Sequence, residues 1–193
     1  MLNILKGKSK LLNLFSYFLV FLITASSIVR AEYQELPEEK CRVQFNGPEL
    51  EFEYAPCMVD NAQQGHQEFR ILEGENIVVW TALSVAPPGL FYVYNKHKRD
   101  VERSLKLFGY INDNWVSISN ASPPTMPSKI NKKVKVYDVK ISGLGACIGF
   151  LASVGTHGGG DYYQGVVTVL GCSNGSAMSE TDIRNSLGEI SLR

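Results

Sequence analysis

The sequence predicts an all-β protein: a single-domain antiparallel β-sandwich or barrel of about 8–10 short strands, with one short C-terminal helix possible. Three observations predict it. Apolar and polar residues alternate over many short runs, the period-two pattern of half-buried strands. Glycine, proline and asparagine punctuate those runs at short intervals, where turns need them. The alternating strand–helix pattern of a parallel α/β sheet is absent, and no internal repeat or second domain shows.

The chain opens with a segment that belongs to targeting, not to the fold. "MLNILKGKSK" carries three lysines and no acid, and "LLNLFSYFLVFLITASSIV" follows as an apolar run. Val29 and Ala31 supply small residues at the −3 and −1 positions of a cleavage site before Glu32, so residues 1–31 read as a signal peptide. The alternative is an uncleaved anchor, the one route by which this chain would touch a membrane. The run from Leu11 to Val29 approaches bilayer length, although Asn13, Ser16, Ser26 and Ser27 interrupt it. In both cases the lysines stay inside, and the remainder is expected to be periplasmic or secreted. Residues 32–40 form a polar lead-in, 41–178 the β-sandwich domain and 179–193 a tail. Removing the leader turns a balance of 19 basic and 19 acidic residues into a net negative charge. That leaves no electrostatic case for binding nucleic acid.

The elements follow in order. "CRVQF" and "LEFEYAPC" alternate on either side of "NGPE" and read as a first hairpin. "MVDNAQQGHQ" reads as a polar connection. "EFRIL" and "NIVVWTALSV" are strands, the second so apolar that it should be central and covered on both faces. "APPG" breaks the chain before another strand, "LFYVYN". "KHKRDVER" is a charged segment. "SLKLFGYINDNWVSIS" is rich in aromatic and β-branched residues, which favours a hairpin turning at Asn112-Asp113. Val101, Leu105 and Phe108 stand at helical spacing and are the competing signal. "NASPPTMPSKINKK", with three prolines and no period, reads as a long loop. In "KVKVYDVKIS" the apolar positions change phase at Tyr137-Asp138, as a bulge would make them. Lys133 and Lys135 there read as protection of an edge strand. "ACIGFLASVG" and "YYQGVVTVLGC" form the last hairpin, and Ser179 with Asp182 is the start signal for a short helix.

All four cysteines follow the leader, and an even count in an oxidising compartment reads as two disulfides. The hairpins favour Cys41–Cys57 and Cys147–Cys172. Pairing Val154 with Tyr163 across the last hairpin places Cys147 opposite Leu170, within one bulge of Cys172. There is no C-x-x-C and no histidine close to a cysteine pair, so no metal is expected, and no nucleotide or cofactor motif is present.

Two strings raise a catalytic question. Gly171-Cys172-Ser173-Asn174-Gly175 matches the G-x-S-x-G turn that presents a hydrolase's serine, and His157-Gly158-Gly159-Gly160 matches a string found near such sites. The context argues against it. All three histidines precede Ser173, only twenty residues follow it, and no parallel sheet is indicated. The expectation is therefore a non-catalytic exported domain that binds an unidentified protein or glycan through its loops. It would be an envelope-associated module, an enzyme inhibitor or a host-interaction factor. The candidate contact loop is "THGGGDYY", with His157, Asp161, Tyr162 and Tyr163, aromatic area beside adaptable glycines. A second candidate surface combines Tyr110 and Trp115 with the basic Lys96, Lys98 and Arg99. One alternative is a small exported hydrolase using His157 with Ser173 or Ser176. Another is a subunit of a surface assembly with "EYQELPEEK" as a donor segment.

Overall fold

In the computed structural model the residues described are 34–45, 57–60, 65–90, 92–93, 98–156, 162–175 and 178–193. The leader, the tip "HGGGD", Lys96 and Ser176 lie outside them. The strands are β1 (Gln34–Leu36), β2 (Val43–Phe45), β3 (Cys57–Asp60), β4 (His66–Glu73), β5 (Ile77–Val85), β6 (Tyr92–Val93), β7 (Trp115–Pro127), β8 (Lys133–Ile141), β9 (Cys147–Thr156), β10 (Tyr162–Ser173) and β11 (Ile190–Leu192). The α-helices are α1 (Lys98–Leu105), α2 (Gly109–Asp113) and α3 (Glu180–Gly188). Among the described residues, no helix is long and apolar enough to cross a membrane.

An antiparallel nine-stranded sheet runs β1-β3-β4-β5-β10-β9-β8-β7, with β6 also paired to β10, and β11 pairs with β2 in a second, two-stranded sheet. The all-β sandwich class is what the chain adopts. As the apolar run "NIVVWTALSV" predicts, β5 is central, flanked by β4 and β10.

Both faces of the large sheet are covered, and this explains the phase change in β8. Val134 and Val136 point into one core with Val79, Val167, Phe150, Ile183 and Ile190. Tyr137, Val139 and Ile141 point into the other, with Trp80, Val101, Leu105 and Leu170. Side chains keep alternating; what changes along the strand is which face is packed. No bulge is needed, and β8 pairs with β9 in unbroken register from Val136 to Val139. Nor is β8 an edge strand, since it lies between β7 and β9, so Lys133 and Lys135 do not guard one.

The hairpin expected over "SLKLFGYINDNWVSIS" is instead the end of α1, the whole of α2 and the start of β7. The amide of Asn112 donates to the Phe108 carbonyl at 2.9 Å and that of Asn114 to Tyr110 at 3.2 Å. Val101, Leu105 and Ile111 are fully buried beneath them. Strand propensity lost because the sheet's second face needed a cover, and tertiary burial outweighs local preference. Gly149 eases the fit, because a Cβ there would sit 3.1 Å from Val139 Cγ2 and 3.3 Å from Leu105 Cδ1, tighter than ordinary contact.

The stretch expected as a long loop, "NASPPTMPSKINKK", is largely strand. β7 runs through it to Pro127 and changes register against β8 between Asn120 and Thr125, around the cis Ser122–Pro123 bond. β7 is the terminal strand of the sheet, where missing proline N–H groups cost no ladder bond on the open side. Ala121 and Met126 fasten it to the core.

The N-terminal expectations also change. β2 pairs with β11, while residues 46–56, the second half of the expected first hairpin, lie outside the described set. "MVD" is not a connection but β3, held between β1 and β4. The lead-in contributes β1, an intramolecular strand, which leaves it no donor role in another subunit as long as it stays paired. The tail is integral: Ser179 and Asp182 form a capping box on α3, and β11 closes on β2.

Candidate functional site

Both disulfides join the pairs expected from the sequence. Cys147 faces Cys172 directly, with Val154 opposite Gly165, a two-residue correction to the expected hairpin register. Their Cα atoms are 4.0 Å apart, close to the narrow spacing of an opposed pair without mutual backbone bonds. Two such bonds are characteristic of an oxidising, extracytoplasmic environment.

Ser173 is fully buried, and its hydroxyl accepts the Met178 amide at 3.1 Å. Its backbone is bonded to Ala146 and Gly145. The side chain thus holds the turn that leads into α3. The glycines of "GCSNG" have separate structural reasons. A Cβ at Gly171 would lie 2.8 Å from Leu187 Cδ2, so glycine lets α3 seat on β10. Gly175 has φ +77°, a turn conformation that side chains disfavour. His157 and Asp161 lie outside the described residues. Of Tyr162 only the strand position in β10 is described. Tyr163 is 7% exposed and packs in the helix-covered core, which corrects its assignment as a contact residue.

The second candidate surface divides. Trp115 is partly buried against the helix-covered core, with Lys106 Nζ 4.9 Å above its ring. Lys106 is also paired with Glu102 at 2.8 Å. Arg99 is exposed on α1 and Lys98 begins that helix. Tyr110 is 49% exposed and stacks on Trp80, with centroids 6.2 Å apart and rings 5° from parallel.

Around that stack lies an apolar shelf the sequence did not single out. Trp80 pairs across the ladder with Ile71, and Phe69 with Ala82 on one side and Met58 on the other. Phe69 meets Phe108 edge-on at 5.9 Å, and Leu107 adjoins it in sequence. Met58, Ile71, Leu107 and Tyr110 are all exposed. The helices cover the β7–β10 half of this face and stop short of β3 and β4, so these side chains surround a boundary. Period two placed Phe69 and Ile71 on one face of β4, but nothing in the sequence said that cover would end there.

On the opposite face β4 carries a buried polar clip. The Glu68 carboxylate, 1% exposed, accepts the amides of Arg42 at 2.7 Å and Val43 at 3.0 Å. Arg70 Nη1 donates to the Val43 carbonyl at 2.6 Å, and its guanidinium lies 5.2 Å over the Phe45 ring. His66 Nε2 is 3.8 Å from Glu68, and burial, then the nearby Arg42, lower the His66 pKa against the raising effect of Glu68. Cys41, Cys57 and Glu68 converge within 4.8 Å, but both sulfurs are spent in the disulfide, so they form no metal centre. The clip fixes β2 to the sheet.

Comparison with known protein families, curated proteins and solved structures finds no match to this chain.

Proposed function

We propose that this chain is an exported, non-catalytic β domain, periplasmic or secreted, which binds another macromolecule, a protein or a glycan. The contact surface is the shelf formed by Met58, Ile71, Leu107 and Tyr110 around the Trp80–Tyr110 stack. The observation that carries this reading is the exposure of that stack. A half-exposed tyrosine held flat on a buried tryptophan is rigid and amphipathic, with contact area already ordered before binding. Clustered exposed apolar side chains are otherwise avoided on a soluble surface. The buried Ser173 hydroxyl, occupied by Met178, supports a structural role for "GCSNG".

The test is affinity capture of exported partners by the wild-type protein and by Tyr110→Ser, alongside ester and peptide hydrolysis assays. Partners retained by the wild type and lost by the variant support the reading. Turnover that disappears in His157→Ala sinks it.

A further inference from the structure

The sulfur atoms of the chain single out one side chain. All four cysteines are joined in the two disulfides, so no thiol is present to meet an oxidant first. Of the four methionines, Met1 belongs to the leader, Met126 is 3% exposed in the core, and Met178 is partly buried against that same core. Met58 is 37% exposed. Among the described residues it is the exposed thioether, and exposure governs which sulfur a dissolved oxidant reaches.

The position of Met58 gives that reactivity a consequence. β3 lies between β1 and β4, and Met58 stands directly opposite Glu35 on one neighbour and Phe69 on the other. Directly opposed side chains share a sheet face and are close neighbours. Phe69 meets Phe108 edge-on, and Ile71, two residues along β4, stands opposite Trp80 of the Trp80–Tyr110 stack. Met58 is therefore part of the apolar shelf where the helical cover ends. A thioether suits such surroundings because it is soft and apolar. Its sulfoxide does not, since the S–O bond is strongly polar and its oxygen holds water.

We infer that Met58 is an oxidation site, and that its conversion to methionine sulfoxide weakens binding at the shelf. This regulation rests on the shelf being the contact surface of the protein. The co-reactant is a peroxide. The sulfur lone pair attacks one peroxide oxygen, and the O–O bond breaks as the S–O bond forms. With hydrogen peroxide the other oxygen leaves as water; sulfur gives up two electrons and the peroxide takes them. A methionine sulfoxide reductase carrying a dithiol reverses the step, the oxygen leaving as water while the dithiol closes to a disulfide. Strand pairing of Met58 uses its backbone, so the sheet stays intact in both states.

The experiment treats the purified protein with hydrogen peroxide over a time course. Peptide mapping by mass spectrometry follows each methionine, and the fluorescence of anilinonaphthalene sulfonate follows apolar binding at the surface. Wild type, Met58→Leu and Met58→Gln are compared. Met58 should gain one oxygen at least about tenfold faster than Met126 or Met178. The oxidised wild type should bind the dye at least about threefold more weakly, with unchanged circular dichroism, and methionine sulfoxide reductase should restore binding. Met58→Leu should lose the response to peroxide whatever its starting affinity, and Met58→Gln, polar like the sulfoxide, should bind the dye weakly without peroxide. Oxidation of Met126 or Met178 at the rate of Met58 overturns the inference. So does dye binding indifferent to complete oxidation of Met58, or a peroxide response retained in Met58→Leu. Exported partners captured equally by the wild type and Tyr110→Ser sink the shelf as contact surface, while the mapping still decides the reactivity of Met58. Oxidised wild type that keeps partners which Tyr110→Ser loses overturns the regulation and leaves the shelf in place.

Discussion

The two disulfides sit in regions built on different principles. Cys147–Cys172 bridges neighbouring strands in the middle of the sheet, in a ladder that runs in register from Cys147 to Val154 and is packed on both faces. Cys41–Cys57 lies at the margin, in a cluster whose apolar company among the described residues is Val59 and the partly buried Leu36. There β2 reaches the large sheet through side chains, with Glu68 and Arg70 taking its backbone groups. The centre is held redundantly. The margin depends on a few polar contacts and one covalent link, and it should fail first.

The largest expected effect is at the clip. Glu68→Ala strands the backbone amides of Arg42 and Val43, and should cost about 3–5 kcal/mol in urea unfolding. Glu68→Gln keeps an acceptor and should cost clearly less. Equal losses would show that shape, not hydrogen bonding, holds β2.

Removing each disulfide sharpens the comparison. Chain entropy alone gives each about 3 kcal/mol, slightly more for Cys147–Cys172, whose cysteines are 25 residues apart against 16 for the other pair. Cys41→Ala/Cys57→Ala should also release amide-exchange protection throughout β1–β3, whereas Cys147→Ala/Cys172→Ala should leave the β9–β10 ladder protected. Equal loss of protection in both would break the distinction between margin and centre.

Gly171→Ala tests the centre's packing, because the new methyl must displace the end of Leu187. A cost of about 1–3 kcal/mol is expected, read as a lower midpoint of thermal unfolding. The smallest effect is pH dependence at the margin. The folded state holds the His66 pKa below 6.5, so the unfolded chain takes up the proton first as pH falls. Stability present above 6.5 is therefore lost progressively between 6.5 and the lower folded value. His66→Gln should flatten that slope in unfolding measurements repeated across the range, and an unchanged slope would assign it to another group.

Much of this was legible from side-chain periodicity. β4, β5, β9 and β10 stand where alternation and turn residues put them, and the Cys147–Cys172 pairing followed from strand adjacency, whereas Cys41–Cys57 forms although β2 pairs with β11. The misreadings share one cause. In "FGYINDNW", in the proline-rich part of β7 and in β8, local preference was weighed as if one sheet face were wet. Over β8–β10 both faces are dry, so helices replaced a hairpin and an apparent bulge vanished, while β7 carries its prolines at the end of the sheet. Tyr110 was flagged as a surface residue, but its value as a contact comes from Trp80 beneath it, thirty residues away in sequence.

By itself the sequence determined the all-β class, the strand-rich middle, the capped C-terminal helix and two disulfides, because these rest on period, capping chemistry and cysteine count. Only the tertiary structure decided which strands neighbour one another, where the helical cover ends and which glycines admit a helix. Those outcomes depend on how distant segments share buried surface. The same assembly left the Trp80–Tyr110 stack beside exposed Met58 and Ile71, where the helical cover ends.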